Sequence, residues 1–285
     1  MEQNQVSSTA QRVALRRAAH QLLDDPKVFN DPLALRIIGK ESATTLRADP
    51  GRFETSPLSP YLRAFIAARS RFAEDELSLG VQGGVSQYVI MGAGLDTFAY
   101  RNPYPEETLR VFEVDYPSTQ AWKRLRLDDA AIVVSPRLAF VAVDFETQSV
   151  ADRLMEAGYD PTQRTMFSWL GVTPYLRADA VMATLNFIAS AAIGSAIVFD
   201  YVISPSLMTA RQRTVFEKLA DRVAADGEPF RAFFEPQKLV SDLGAMGLGR
   251  VENKGPDEIN AMYFKGRHDG LRVGSLSHIM KAEVR

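Results

Sequence analysis

The chain has 285 residues, 46% of them hydrophobic, with three histidines, no cysteine and a formal net charge of −2. That is enough apolar material for one large core, no composition break divides it, and the missing cysteines exclude a disulfide framework. With no basic run longer than a pair, no stretch approaching a membrane span and no signal-peptide core at the N-terminus, the expectation is a cytoplasmic protein without nucleic-acid or membrane partners.

The first 80 residues read as helical. Leu15, Ala18, Ala19, Leu22 and Leu23 fall on one helical face, with Arg12, Arg16 and Arg17 elsewhere. A second helix begins at Asp31-Pro32 and stops near Gly39; a third begins at Ser59-Pro60 and runs towards Gly80, each with an N-cap residue and a proline in its first turn. A prefix this short does not bury enough surface to fold alone. Residues 1–80 are therefore expected to pack as a helical lid over an α/β core at 81–285, within one domain spanning 1–285.

The core opens on Tyr88-Val-Ile-Met-Gly-Ala-Gly-Leu-Asp-Thr97. Tyr88 to Met91 form the short apolar run of an interior parallel strand, and Gly92 and Gly94, around Ala93, allow positive φ and close approach of a ligand. A dinucleotide fingerprint needs a third small residue where this chain has Thr97, and the preceding Asp96 would repel a pyrophosphate. An acidic glycine turn suits a cofactor bearing a sulfonium, an ammonium and no phosphate, which describes S-adenosylmethionine. The plain alternative is an ordinary strand-to-helix turn.

Leu109-Arg-Val-Phe-Glu-Val-Asp115 reads as the next strand, stopped by Tyr116-Pro117. Its acids Glu113 and Asp115 lie 19 and 21 positions beyond Gly94, near the offset at which an acid holds the ribose hydroxyls of a nucleoside. Further strands are expected at residues 138–144, 165–170 and 196–200, alternating with helical patterns at 178–192 and 207–225. This rhythm implies a doubly wound, mostly parallel α/β sheet, Rossmann-like, whose ligands bind outside the carboxyl ends of the strands. Asp144, Phe145, Trp169, Asp200 and Tyr201 stand at those ends. For Asp144, recognition of an adenine amine and capping of the following helix are both open.

Several of these segments together resemble a known group. Ala68-Arg69-Ser70-Arg71-Phe72, the turn Gly92 to Thr97 with Tyr100-Arg101, Phe112-Glu-Val-Asp-Tyr-Pro117 and Gly171-Val-Thr-Pro-Tyr-Leu176 look like the leucine carboxyl methyltransferase family. Thr9-Ala10, Arg17-Ala18 and the segment from Tyr263 to Gly270 look like its bacterial relatives, described as S-adenosylmethionine-dependent O-methyltransferases. The resemblance implies a class I methyltransferase fold. It assigns Arg69 to the methionine carboxylate of the cofactor, Gly92 and Gly94 to its backbone cradle, Asp115 to the ribose hydroxyls, and Asp144 with Phe145 to the adenine. Arginine suits a carboxylate because its planar fork meets it bidentately. The chain departs from the family at Leu170, where the carboxyl methyltransferases have a glutamate, so the methyl acceptor does not carry over.

Methyl transfer from a sulfonium is an in-line displacement, which asks the protein mainly to align an acceptor and exclude water. A base is needed only if the acceptor arrives protonated. Candidates are few: His20 reads as a polar residue of the lid, more in keeping with a surface histidine than a base, and Tyr175 and Tyr201 can orient an acceptor or simply pack. No residues stand at metal-ligand spacing, so a metal-independent transfer to a carboxylate or acidic hydroxyl of a small molecule is the reading. The alternatives are an NAD(P)-dependent oxidoreductase and a non-catalytic S-adenosylmethionine-binding protein.

Overall fold

The computed structural model describes residues 7–105 and 107–285; residues 1–6 of the expected helical prefix lie outside them. The helices α1 (Ser8–Leu23), α2 (Ala34–Ile37), α3 (Lys40–Ala48) and α4 (Ser59–Gln82) come first. The α/β part then runs β1 (Gln87–Met91), β2 (Arg110–Asp115), α5 (Pro117–Asp129), β3 (Ala139–Ala142), α6 (Val150–Glu156), β4 (Thr165–Trp169), α7 (Ala178–Ala189) and β5 (Ala196–Tyr201). It closes with α8 (Ala210–Ala225), α9 (Pro236–Ala245), β6 (Leu248–Lys254), α10 (Pro256–Tyr263) and β7 (His278–Val284).

The seven strands form one sheet in the order β3-β2-β1-β4-β5-β7-β6. The first five strands pair in parallel, and β7 runs antiparallel between β5 and β6. Interior strands alternate their side chains between two faces. Accordingly Val89 and Met91 join the cluster with Phe112, Phe167 and Leu185, whereas Tyr88 and Ile90 join that of Ala67, Phe72 and Leu77 on α4. A third cluster binds α1, α2 and α3, through Ala18, Ile37 and Leu46, to Leu95 of the glycine turn and Leu127 of α5.

Several expectations need correcting. The turn after β1 leads only into the three-residue 3-10 helix Phe98–Tyr100, so no helix dipole stands behind it. Ser59 is the first residue of α4, which is preceded by Leu58 without a side-chain cap. In α1 the expected face is buried only in part: Ala18 and Ala19 are in the core, but Leu22 and Leu23 are exposed at 39% and 38%, while Arg17 and His20 are buried at 4% and 0%. The reason is a polar interior. Arg17 pairs with Asp31 at 2.8 Å, donates to the carbonyl of Leu95 and stands 3.7 Å from Asp96. No helix among the described residues is long and apolar enough to cross a membrane.

Candidate functional site

The parallel register sets the site. Met91 is level with Val114 and with Trp169, and Trp169 with Phe199. The next residues, Gly92, Asp115, Leu170 and Asp200, therefore leave the sheet side by side at its carboxyl edge. A cavity of about 240 Å³ opens there, at the switch point between β1 and β4 where such sheets bind ligands. Its walls include Arg69, Gly92, Ala93, Gly94, Asp96, Asp115, Asp144 and Phe145, together with Thr9, Val13 and Arg17 of α1.

The glycines are required by geometry. Gly92 has φ +66°, and a Cβ there would stand 2.1 Å from Cγ2 of Val172; Gly94 has φ +44°, and a Cβ there would stand 3.3 Å from the Ala10 methyl of α1. The backbone of the turn is thus pressed between the loop after β4 and the first turn of α1. Glu228 holds that first turn by accepting from the Thr9 amide at 2.9 Å, where a carboxylate favours a helix N-terminus.

Asp115 accepts from the Gly94 amide and, at 2.7 Å, from the Tyr116 amide. Burial nevertheless outweighs these bonds and raises its pKa to about 6. Each carboxylate oxygen has two lone pairs, so both can still accept from a ligand hydroxyl. Asp96 behaves oppositely: burial would raise it, but Arg17, Lys123 and Arg101 hold it below the usual carboxylate range, so it stays anionic beside the turn. Its Oδ1 accepts from the Phe98 amide at 2.7 Å and closes the 3-10 turn.

Arg69 is buried within α4 and bonds Asp200 through Nη1 at 2.7 Å. Asp200 also accepts from the Gly171 amide. Gly171 has φ +75°, and a Cβ there would meet the guanidinium at 2.6 Å, so the guanidinium lies directly on that backbone. An ordinary surface helix arginine is thereby excluded. Asp144 accepts from the Glu146 amide at 2.9 Å and organises the turn after β3, while the cap of α6 is Ser149. Phe145 lines the cavity with its ring stacked on Trp169, centroids 5.7 Å apart.

Two expectations about this region change. Trp169 is fully buried and is absent from the cavity wall, because it is the last residue of its strand and points into the core; it supports Phe145 from behind. His20 is no surface residue and lines neither this cavity nor its neighbour. Its Nε2 accepts from the amides of Val28 and Phe29, both at 3.1 Å, and Nδ1 faces Asp24 at 2.6 Å. Both ring nitrogens are therefore committed to holding the chain after α1. Sequence reasoning gave no site role to Ala10, Arg17 or Glu228, whose partners lie far along the chain; the Thr9-Ala10 and Arg17-Ala18 resemblance touched the first two, and nothing pointed to Glu228.

The residues present fit a nucleoside with a charged tail: an acid for a hydroxyl pair, a supported aromatic face, a cradle that a Cβ would fill, and a fixed guanidinium. The strand order and this edge are those of the class I methyltransferase fold. Comparison with known proteins gives the family. The profile of the leucine carboxyl methyltransferase family matches residues 10–189. A Bacillus subtilis (strain 168) protein, YktD, whose name describes an S-adenosyl-L-methionine-dependent methyltransferase, is 34% identical over 303 residues, covering 99% of each chain. A Mycobacterium avium (strain 104) protein named in the same way is 33% identical over 225 residues, covering 76% of this chain and 73% of its own. A solved DUF574 family protein from Streptomyces avermitilis shares the fold, with a TM-score of 0.58 at 15% identity over 99% of both chains. The chain belongs to the leucine carboxyl methyltransferase family and is an S-adenosyl-L-methionine-dependent methyltransferase.

Proposed function

We propose that the enzyme transfers a methyl group, without a metal, to an anionic oxygen of a small molecule, a carboxylate or an acidic hydroxyl. When bound, S-adenosylmethionine supplies an electrophilic methyl on a sulfonium. Asp115 would hold its ribose hydroxyls, Asp144 and Phe145 its adenine, and the backbone of Gly92 to Gly94 its central part, with Asp96 supplying negative charge beside the turn. Arg69, kept in place by Asp200, would hold its carboxylate. The observation that carries the assignment is that Arg69, Gly92, Ala93, Gly94, Asp96, Asp115, Asp144 and Phe145 line one cavity, with Asp200 bonded to Arg69 behind it.

The acceptor reading rests on the chemistry of the cavity walls. His20, His268 and His278 line neither this cavity nor the adjoining one, so no imidazole stands ready to take a proton from an acceptor. An acceptor that arrives already ionised needs none. Among the described residues no three His, Cys, Asp or Glu side chains gather as a metal-ligand set. Helices α1 and α4 would act as the lid that excludes water. The reading includes a cytoplasmic location with no nucleic-acid or membrane partner, in keeping with the net charge of −2.

Calorimetric titration with S-adenosylmethionine, S-adenosylhomocysteine and NAD tests the donor site. Both sulfur nucleosides should bind, Asp115→Ala should abolish and Arg69→Ala weaken binding, and heat from NAD alone would overturn the assignment. Ester or ether products in a screen of small acids, read by mass spectrometry, test the oxygen acceptor; exclusive methylation of amines would refute it.

A further inference from the structure

A second cavity, of about 160 Å³, adjoins the first. The two share Thr9, Val13, Arg69, Gly171 and Tyr175, so these residues mark the junction through which a methyl group would pass. Beyond the junction the second cavity is lined by the rings of Phe65, Tyr201, Phe216 and Phe230, with Phe230 stacked on Phe216 at 5.9 Å and tilted on Tyr175 at 5.3 Å. It also carries three arginines that the first cavity lacks: Arg12, Arg16 and Arg222.

The charges of this wall do not balance. Its carboxylate is Asp200, which is taken by Arg69. Arg12 is neutralised by Asp226. Arg16 makes no ion pair or side-chain hydrogen bond among the described residues, and its Nε is buried without a partner. Glu54, the carboxylate that acts on it, is already paired with Arg63. Arg222, on the exposed side of α8, meets only the Thr55 hydroxyl among the described residues, at 3.3 Å. Burial, and then the neighbouring charge of Arg222, hold the Arg16 pKa below the ordinary arginine value, the direction expected of a cation lacking its counter-ion. A guanidinium left unpaired beside aromatic rings is costly to bury and gains most from a planar anion.

Resting on the reading of the first cavity as the methyl-donor site, we infer that the second cavity binds the acceptor, and that this is an amphipathic small molecule with an aromatic or similarly apolar body and an anionic group anchored by Arg16 and Arg222. This anchored anion is distinct from the oxygen that is methylated. The arginines lie only in the unshared part of the cavity, whereas the reacting oxygen must reach the junction beside Arg69, Gly171 and Tyr175. The arginines thus fix which end of the acceptor faces the donor.

The test is calorimetric titration of the full chain, with and without saturating S-adenosylhomocysteine, using 2-naphthoate and the isosteric neutral 2-naphthamide as probes. Naphthoate should bind at least tenfold more tightly than the amide. Arg16→Met and Arg222→Met should each remove about fivefold or more of that preference while leaving amide affinity and S-adenosylhomocysteine affinity within twofold. Arg222 is exposed, so its variant remains informative even if Arg16→Met disturbs folding. Absent naphthoate binding, equal affinity for the two probes, or a preference that survives both substitutions would overturn the inference. Failure of S-adenosylhomocysteine to bind the unmodified chain would instead refute the donor site, and the titrations without it still report the anion preference.

Discussion

Arg69 and Asp200, 131 positions apart, meet at 2.7 Å where the two cavities join. Both are largely buried, so each is the other's counter-charge. Removing one partner of a buried pair leaves an uncompensated charge, which typically costs about 3–5 kcal/mol. Asp200→Ala should therefore lose stability of that order in urea denaturation and also weaken S-adenosylmethionine binding, because the guanidinium loses its aim. A variant within about 1 kcal/mol of the parent would show that the pair does not hold Arg69.

Gly92 is constrained twice, by its φ of +66° and by Val172. Gly92→Ala should lower Tm and reduce donor affinity at least tenfold. Adding Val172→Ala removes the steric overlap but leaves the left-handed strain, of about 1–2 kcal/mol, so recovery should be partial. Full recovery in the double variant would show that sterics alone were at work.

Asp115 gives donor binding a pH dependence. Its pKa is raised to about 6 by burial, so below that pH it is protonated in the empty enzyme. Hydroxyl donors favour the carboxylate, so affinity for S-adenosylhomocysteine should be level above about pH 7 and fall roughly tenfold per pH unit well below 6. The stability contribution has the opposite sign: a carboxylate whose folded pKa lies above its unfolded one opposes folding at high pH, and this penalty is relieved as pH falls through about 6. Titrations from pH 5 to 8 decide it; a flat profile would mean that Asp115 is not the ribose ligand.

Beneath Asp115, Glu113 and Lys123 form an ion pair at 2.7 Å with almost no exposure, and Tyr100 donates to Glu113 at 2.9 Å. Burial, opposed by Lys123, leaves Glu113 at about 6. Lys123→Met should cost about 3–5 kcal/mol, and Glu113→Gln with Lys123→Met should recover much of it, because the unpaired charge is gone. Lys123 also lowers the Asp115 pKa, so the single variant should move the donor-binding midpoint to higher pH. A double variant no more stable than the single would refute this account.

The parallel half of the fold was legible because each strand is a short, mainly apolar run. The antiparallel half was not. In β6, Arg250, Glu252 and Lys254 interrupt the pattern and the register shifts between Gly249 and Glu252; in β7, Lys281 and Glu283 break the run. The cavity walls followed the same division. Gly92, Asp115 and Phe145 come from strand ends and could be read locally, whereas Trp169, one position short of the edge, belongs to the core. Arg17 and His20 escaped because helical periodicity treats charge as a mark of the surface. Their burial depends on Asp31, Asp96 and Asp24, none of which follows from spacing within α1.

Helix α1 touches both cavities, with Thr9 and Val13 on the shared wall, Ala10 over the glycine turn and Arg16 beyond it. One helix thus lines both the proposed donor site and the inferred acceptor site. If donor binding shifts α1, acceptor affinity must change by some factor, and thermodynamic reciprocity requires the acceptor to change donor affinity by the same factor. The amide of Thr9, held by Glu228, is where that coupling is anchored to the rest of the chain.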